Sequence, residues 1–273
     1  MPLVYLNGAL VPEHQALVSI FDHGLVTGDG VFETVVIRGG RPFALDRHLE
    51  RLGRSAAVLG LSCPSREELR IASDQVLYAA HIEYGKLRLT VTGGYGGLSS
   101  SRAATSPTVI VAAESLPPPS PEAIAVIAPW PRSERSAVAG AKTISYAENV
   151  VALADAHDRG ASEALFLNLA GDLCEGTGSN VFVVLGGVLV TPPLRSGCLA
   201  GVTRGLVLEC SSAREADVAG RRLFEISEAF LTSTTRGVQP VSVLGGRSLE
   251  PCPGPLTKEA ARCFDALVES GLH

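Results

Sequence analysis

Lysine is nearly missing from this chain. Of its 23 basic residues 20 are arginine, and the lysines are Lys86, Lys142 and Lys258. Base is also outnumbered by acid, 28 residues to 23, leaving a net charge of −5. That balance excludes the broad basic face of a nucleic-acid-binding protein, although a few placed arginines can still hold a small anion. Apolar runs of about 18 residues are absent, so no membrane span is expected. The start, Met1-Pro-Leu-Val-Tyr-Leu-Asn-Gly8, has no basic region followed by a long apolar stretch, so no leader is expected either. The cysteines, at 63, 174, 198, 210, 252 and 263, form no C-x-x-C pair. In a chain of 273 residues they are expected to be reduced thiols of a cytoplasmic protein.

Several chemical signatures are lacking as well. Gly28-Asp-Gly-Val-Phe-Glu33 and Gly93-Gly-Tyr-Gly-Gly97 both fall short of a dinucleotide fingerprint. No lysine follows the glycine spacing of a P-loop, and no G-x-S-x-G elbow occurs. The histidines are scattered and spell no H-E-x-x-H, so no metal site is expected.

What is present reads as a folded globule, with 46% hydrophobic and 19% charged residues. Asn7-Gly8, Gly39-Gly40 and Gly186-Gly187 each separate two apolar runs, which predicts three tight hairpins. Further strand-length runs cover 87–92, 109–113, 123–128 and 164–169. Leu45, Leu49, Leu52, Ala56 and Leu59 repeat at helical spacing, and helices are also predicted over 148–159, 203–210 and 258–270. In the second of these, Val150, Leu153, Ala154 and His157 would share one face. Hairpins in clusters, without strict β-α-β alternation, predict an α+β fold. Ser115-Leu-Pro-Pro-Pro-Ser-Pro-Glu122 can continue neither helix nor central strand. It divides the chain into an α+β domain over 1–116, a linker over 117–121, and a second α+β domain over 122–273 that carries Lys142.

Lys142 stands out by its neighbours. Val138-Ala-Gly-Ala141 and Thr143-Ile144 are small or apolar, and desolvation would make a neutral, nucleophilic amine available. Read alone, it is equally a surface lysine. Thirty-three residues on, Glu175 opens Glu175-Gly-Thr-Gly-Ser-Asn180; it is either a hairpin-end carboxylate or one buried beside a cation. A lysine that forms an imine and a carboxylate that holds a pyridinium nitrogen are what a pyridoxal 5'-phosphate (PLP) enzyme requires. Gly201, Val202 and Thr203 open a predicted helix whose free backbone N–H groups could cradle a phosphate, or be an ordinary cap. Thr232-Ser-Thr-Thr235 offers four consecutive hydroxyls after an apolar run. Helical periodicity places Arg51 off the apolar stripe, as a solvated residue.

Taken together, these segments resemble the class IV aminotransferases, the fold-type IV PLP enzymes. The landmarks are Gly28-Asp-Gly-Val-Phe-Glu33, His48-Leu-Glu-Arg-Leu52, Lys142-Thr-Ile-Ser-Tyr146, Glu175 to Phe182, Leu199-Ala-Gly-Val-Thr-Arg204 and Thr232-Ser-Thr-Thr235, in family order. The resemblance implies two α+β domains with PLP in the cleft, and a homodimer whose sites borrow residues from the partner. Lys142 would hold PLP and shuttle protons at the substrate Cα. Glu175 would pair with the pyridine nitrogen. Arg51, Val202 and Thr203 would bind the phosphate, with Thr234 and Thr235 assisting. Tyr146 would lie near the ring hydroxyl, and Ser179 and Asn180 beside the cofactor. Thr34 and Val36 stand where branched-chain enzymes show glycine and arginine. Thr92-Gly-Gly94 lacks the arginine with which D-amino-acid enzymes trap the α-carboxylate. The overall texture is nearest to 4-amino-4-deoxychorismate lyase, which eliminates pyruvate to give 4-aminobenzoate; an amino-acid transaminase is the alternative. Arg88, Arg102, Arg132 and Arg135 are the candidates for substrate carboxylates.

Overall fold

The computed structural model describes residues 3–271. The chain divides into two compact units, one running to Pro118 and including Ala141–Tyr146, the other made of Pro119–Gly140 and the residues from Ala147 on.

The first unit contains β1 (Leu3–Leu6), β2 (Ala9–Pro12), α1 (His23–Thr27), β3 (Gly30–Arg38), β4 (Arg41–Pro42), α2 (Leu45–Leu59), α3 (Arg66–Ala80), β5 (Tyr84–Thr92) and β6 (Thr108–Ser115). Its strands form one sheet in the order β2-β1-β6-β5-β3-β4. The first hairpin closes at Asn7-Gly8, both at positive φ (49° and 100°), as a type I′ turn demands. In β3 residues 31, 33, 35 and 37 share one face by the two-residue period of a strand. Val31, Val35 and Ile37 there join Leu45, Leu49, Leu52 and Ala56 of α2 in a single core. The predicted apolar stripe of α2 is therefore the buried one. Beside it, His48, Arg51 and Ser55 are buried too, so Arg51 is not the solvated residue that periodicity suggests. The sequence reading also passes over α3, which opens on a capping box: Ser65 Oγ accepts from the Glu68 N–H, and the Glu68 carboxylate from that of Ser65.

The second unit contains β7 (Ala123–Ile127), α4 (Ala147–Asp158), β8 (Glu163–Leu167), β9 (Leu173–Gly176), β10 (Asn180–Leu185), β11 (Val188–Thr191), α5 (Val202–Cys210), β12 (Arg214–Glu215), β13 (Glu228–Ser233), β14 (Gly237–Leu244), β15 (Arg247–Ser248) and α6 (Pro255–Ser270). Its strands run in the order β12-β11-β10-β13-β14-β7-β8-β9, with β15 on β14. β7 lies parallel to both β8 and β14, so hairpins and crossovers mix in one sheet. The buried face of α4 is Asn149, Ala152 and Ala156, while Val150 is 63% exposed. The face predicted from Val150 and His157 is thus wrong. Alanines let the helix approach Phe166 and Cys174 closely, which larger side chains would prevent.

Two more expectations change. Lys142 sits with the first unit, although it follows the proline-rich segment in sequence. The reason is strand-like pairing: its carbonyl accepts from the Phe32 N–H (3.0 Å), and the Ile144 N–H donates to Gly30 (2.9 Å) along the edge of β3. And the cysteines are not all free thiols, because Cys210 at the end of α5 is disulfide-bonded to Cys263 on α6. Among the described residues no helix is long and apolar enough to cross a membrane.

Candidate active site

In the first unit the residues that matter surround Phe32. Its ring, on the opposite face of β3 from the core, lies 4.3 Å from Lys142 Nζ and meets the Tyr146 ring edge-on at 5.2 Å. Arg88 comes from the neighbouring strand. It pairs in register with Thr34, so it shares the Phe32 face, and its guanidinium lies 3.8 Å from the ring centroid. The Lys142 backbone is pinned from the other side by its N–H to Ser55 Oγ, 3.0 Å. The amine, a phenol and an exposed guanidinium thus gather around one aromatic ring.

Beneath them lies a buried ionic cluster. Glu33 is wholly buried on the core face of β3. It accepts from Arg51 through two N–H groups, both at 2.7 Å, and lies 2.7 Å from His48 Nδ1. Burial alone would raise the Glu33 carboxyl, but Arg51 and His48 outweigh it and hold the group down at about 2. His48 moves down as well, because burial disfavours its charged form more than Glu33 favours it. The neutral ring donates from Nδ1 to the ionised carboxylate. Sequence reading misses Glu33 and His48. The available signal is polar residues at helical spacing, His48, Arg51 and Ser55, immediately beside an apolar stripe.

In the second unit Glu175 is the next-to-last residue of β9 and its side chain is 13% exposed. Its Oε2 accepts from the Leu199 N–H at 2.9 Å, and Oε1 lies 3.7 Å from Arg132 Nε. Asn180 grips the same residue, donating from Nδ2 to the Leu199 carbonyl at 2.8 Å. Glu175 and Asn180 therefore clamp the loop that leads into α5. Gly201 has to be glycine there, since a Cβ would overlap Asn180 Oδ1. No side chain caps α5 at Gly201. Its first turn contains half-buried Val202 and buried Thr203, with N–H groups suited to an anion. Arg204 points elsewhere, donating to the Pro192 carbonyl at 2.8 Å and pairing with Glu215. Thr234 and Thr235 lie half-buried in the turn between β13 and β14. Ser179 donates its single hydroxyl proton to Glu163 at 3.0 Å, so it has none left for a phosphate.

Of the four arginines named for substrate carboxylates, two are engaged. Arg102 holds Asp29 through Nε and Nη2, at 2.5 and 2.6 Å. Arg132 donates to Glu148 and Asn149, each at 3.1 Å, and stacks on Phe166. Arg135 donates its backbone N–H to Ser133 Oγ. A Cβ on Gly93 would lie 2.5 Å from Asp29 Oδ2 and 3.1 Å from His23 Cβ, so a larger residue there requires the Asp29 side chain to move. No cluster of three or more potential metal ligands occurs among the described residues.

A lysine held against an aromatic ring, a carboxylate locked by a backbone N–H, and an uncapped helix start suit a phosphorylated pyridine cofactor. The comparisons with known proteins agree. The family model for amino-transferase class IV matches residues 30–244. This chain belongs to the class IV aminotransferases. It is accordingly a PLP enzyme. It is 34% identical over 272 residues to a putative branched-chain-amino-acid aminotransferase of Methanocaldococcus jannaschii, covering 96% of this chain and 94% of that one. It is 33% identical over 268 residues to the D-alanine aminotransferase of Bacillus licheniformis, covering 93% of each. A bifunctional aminodeoxychorismate lyase / D-amino acid transaminase of Mycobacterium tuberculosis is 29% identical over 298 residues, with 98% and 99% covered. Among solved structures, the Thermoproteus uzoniensis branched-chain aminotransferase with norvaline superposes with a TM-score of 0.92 at 30% identity, over 99% of this chain and 96% of that one. Another branched-chain amino acid aminotransferase, solved with pyridoxamine 5'-phosphate, does so with 0.92 at 27%, over 98% and 94%.

Proposed function

We propose that this class IV aminotransferase is an amino-acid transaminase, the alternative in the sequence reading, in preference to the lyase. Bound PLP supplies an electron sink for the bond broken at the substrate Cα. The residues supply the rest. Lys142 holds the cofactor and carries the proton to and from Cα. Glu175 keeps the ring nitrogen protonated, with its own orientation fixed by the Leu199 N–H. Val202 and Thr203 at the start of α5 take the phosphate, and Thr234 and Thr235 add hydroxyls. Arg51 adds a guanidinium that Glu33 holds in place. Tyr146, which packs edge-on against Phe32, would lie on the ring-hydroxyl side. Asn180 acts through Leu199.

The observation that carries the choice is Arg88 beside Lys142 at the Phe32 ring. Arg102 and Arg132 are already paired, whereas Arg88 is exposed and shares the Phe32 ring with the amine. One cation suits the carboxylate of an ordinary amino acid better than the two carboxylates of aminodeoxychorismate. The relatives and solved structures named for branched-chain and D-alanine aminotransferases support the same choice. Glycine at position 93, where the D-type enzymes carry the carboxylate-binding arginine, argues against a D-type carboxylate site.

The test is a matched pair of assays. Branched-chain L-amino acids and D-alanine are each given with 2-oxoglutarate or pyruvate, and aminodeoxychorismate is given alone. Keto-acid formation that requires the acceptor is expected, and Arg88→Ala should raise the amino-acid KM by roughly tenfold or more, as loss of a charge-assisted hydrogen bond does. Release of 4-aminobenzoate without an acceptor would instead support the lyase, the reading that the M. tuberculosis relative keeps open.

The proposal includes a cytoplasmic homodimer. The first unit exposes Leu17, Ile20, Leu25 and Leu98, and its Phe21 and Tyr95 rings pack against each other at 5.9 Å. A second copy is the proposed occupant, because large apolar side chains left exposed are what an association surface presents. Sedimentation should give twice the chain mass.

A further inference from the structure

Glu163, the first residue of β8, is wholly buried and receives five donors. Its Oε1 accepts from the N–H of Thr177 at 2.9 Å, from the Thr177 hydroxyl, and from the Ala164 N–H at 3.2 Å. Its Oε2 accepts from Ser179 Oγ at 3.0 Å and from Arg236 Nη1 at 2.8 Å. Arg236 lies in the β13–β14 turn directly after Thr234 and Thr235. Its own N–H returns to Ser233 Oγ at 3.3 Å, and Ser233 and Gly237 close the hairpin as register partners. One carboxylate therefore ties together two turns that are far apart in sequence, Gly176–Ser179 and Ser233–Gly237. Room for adjustment is small: a Cβ on Gly176 would overlap Ser179 Oγ and lie 3.1 Å from Glu163 Cδ.

We propose that Glu163 and Arg236 are positioning residues that lock these two turns together and so preset the hydroxyls of Thr234 and Thr235 for the cofactor phosphate. The proposal rests on the phosphate reading given above. Three features support positioning over direct binding. Carboxylate and guanidinium offset each other, so the pair adds no net charge. The carboxylate is sealed from solvent. The protons of Thr177 and Ser179 point at Glu163 and serve the lock itself. Neither residue touches the reacting atoms, so neither is assigned a catalytic role.

Phosphate dependence is the readout that a merely structural role would not move. Holoenzyme is resolved and retitrated by calorimetry with PLP and, separately, with pyridoxal, which has the same ring and no phosphate. Arg236→Gln and Glu163→Gln should each weaken PLP by about tenfold and leave pyridoxal within about twofold. Arg236→Lys should recover most of the loss, and the double variant should be little worse than either single one. Should Glu163→Gln fail to fold, the half-buried Arg236 decides the matter alone. Equal weakening of both ligands, or no weakening, overturns the proposal. Thr203→Val is the control on the parent reading. If it leaves PLP affinity unchanged while Arg236→Gln lowers it, the Thr203 hydroxyl is not a phosphate ligand but the turn pair stands. If wild type binds both ligands alike, the phosphate reading and the inference fail together.

Discussion

In the first unit, apart from Lys142 and Tyr146 on the segment that pairs with the edge of β3, the groups assigned to chemistry project from regular elements: Glu33 and Phe32 from β3, Arg88 from β5, His48, Arg51 and Ser55 from α2. They are charged or aromatic, and the strongest contacts are ionic, within a core. In the second unit, apart from Glu175 on β9 and Asn180 at the start of β10, the corresponding groups sit in a turn and at a helix start. They act through backbone N–H groups, hydroxyls and one amide, with Glu175 and Asn180 gripping a single residue of the α5 loop. Side-chain charge on rigid elements can be lost by one substitution, and losing one partner of a buried pair costs far more than the pair itself contributes. A backbone donor set has no such single point of failure, since each hydrogen bond is worth only about 1 kcal/mol net. The two units should therefore respond very differently to comparable substitutions.

The largest effect belongs to Lys142. Wild-type protein is expected to be yellow, and borohydride should bleach the band. Lys142→Ala should remove that band and lower turnover by roughly a hundred- to ten-thousandfold, the range for loss of a positioned proton carrier. Glu175→Gln should keep the colour and lose most of the turnover. A Lys142→Ala protein that still shows the band and the activity would move the covalent site elsewhere and erase the contrast between the units.

Next comes Glu33. Glu33→Gln leaves Arg51 buried with a neutral partner, so unfolding free energy should drop by about 3–5 kcal/mol. The sign of the pH effect follows from the lowered carboxyl. Its folded value is about 2 against an ordinary 4.5, so its stabilisation is complete above 4.5 and is lost as the pH falls toward 2. Thermal midpoints of wild type should fall steeply across that window, and those of Glu33→Gln should fall less. Parallel curves would show that Glu33 does not carry the difference.

Legibility in the sequence differs between the units in a related way. Hairpins are readable wherever Asn-Gly or Gly-Gly fixes a turn, because that chemistry is local. The apolar stripe of α2 is readable for the same reason. The polar stripe beside it is not, since nothing in the spacing of His48, Arg51 and Ser55 says that a carboxylate from a strand 15 residues earlier reaches His48. Glu163 is invisible because its partners, Thr177, Ser179 and Arg236, come from two later turns. The face of α4 misleads because small alanines form the contact surface while valines stay outside. Chain order assigns Lys142 to the second unit, whereas its edge pairing with β3 decides which unit it joins. The Cys210–Cys263 link spans 53 residues and has no spacing signal.

The smallest effect should be that of Thr203→Val, and it is the sharpest test of the contrast. The substitution removes a hydroxyl yet keeps the shape and the backbone N–H at the start of α5. One neutral hydrogen bond contributes about 0.5–1.5 kcal/mol, so PLP affinity should weaken by only about three- to tenfold. The remaining affinity should fall with added salt, because a helix terminus attracts an anion electrostatically and screening weakens it. Arg51→Gln, by comparison, removes a full charge and leaves Glu33 buried with His48 alone, so it should cost both cofactor affinity and stability. If Thr203→Val proves as damaging as Arg51→Gln, the helix start depends on its side chain after all, and the second unit is no more tolerant than the first.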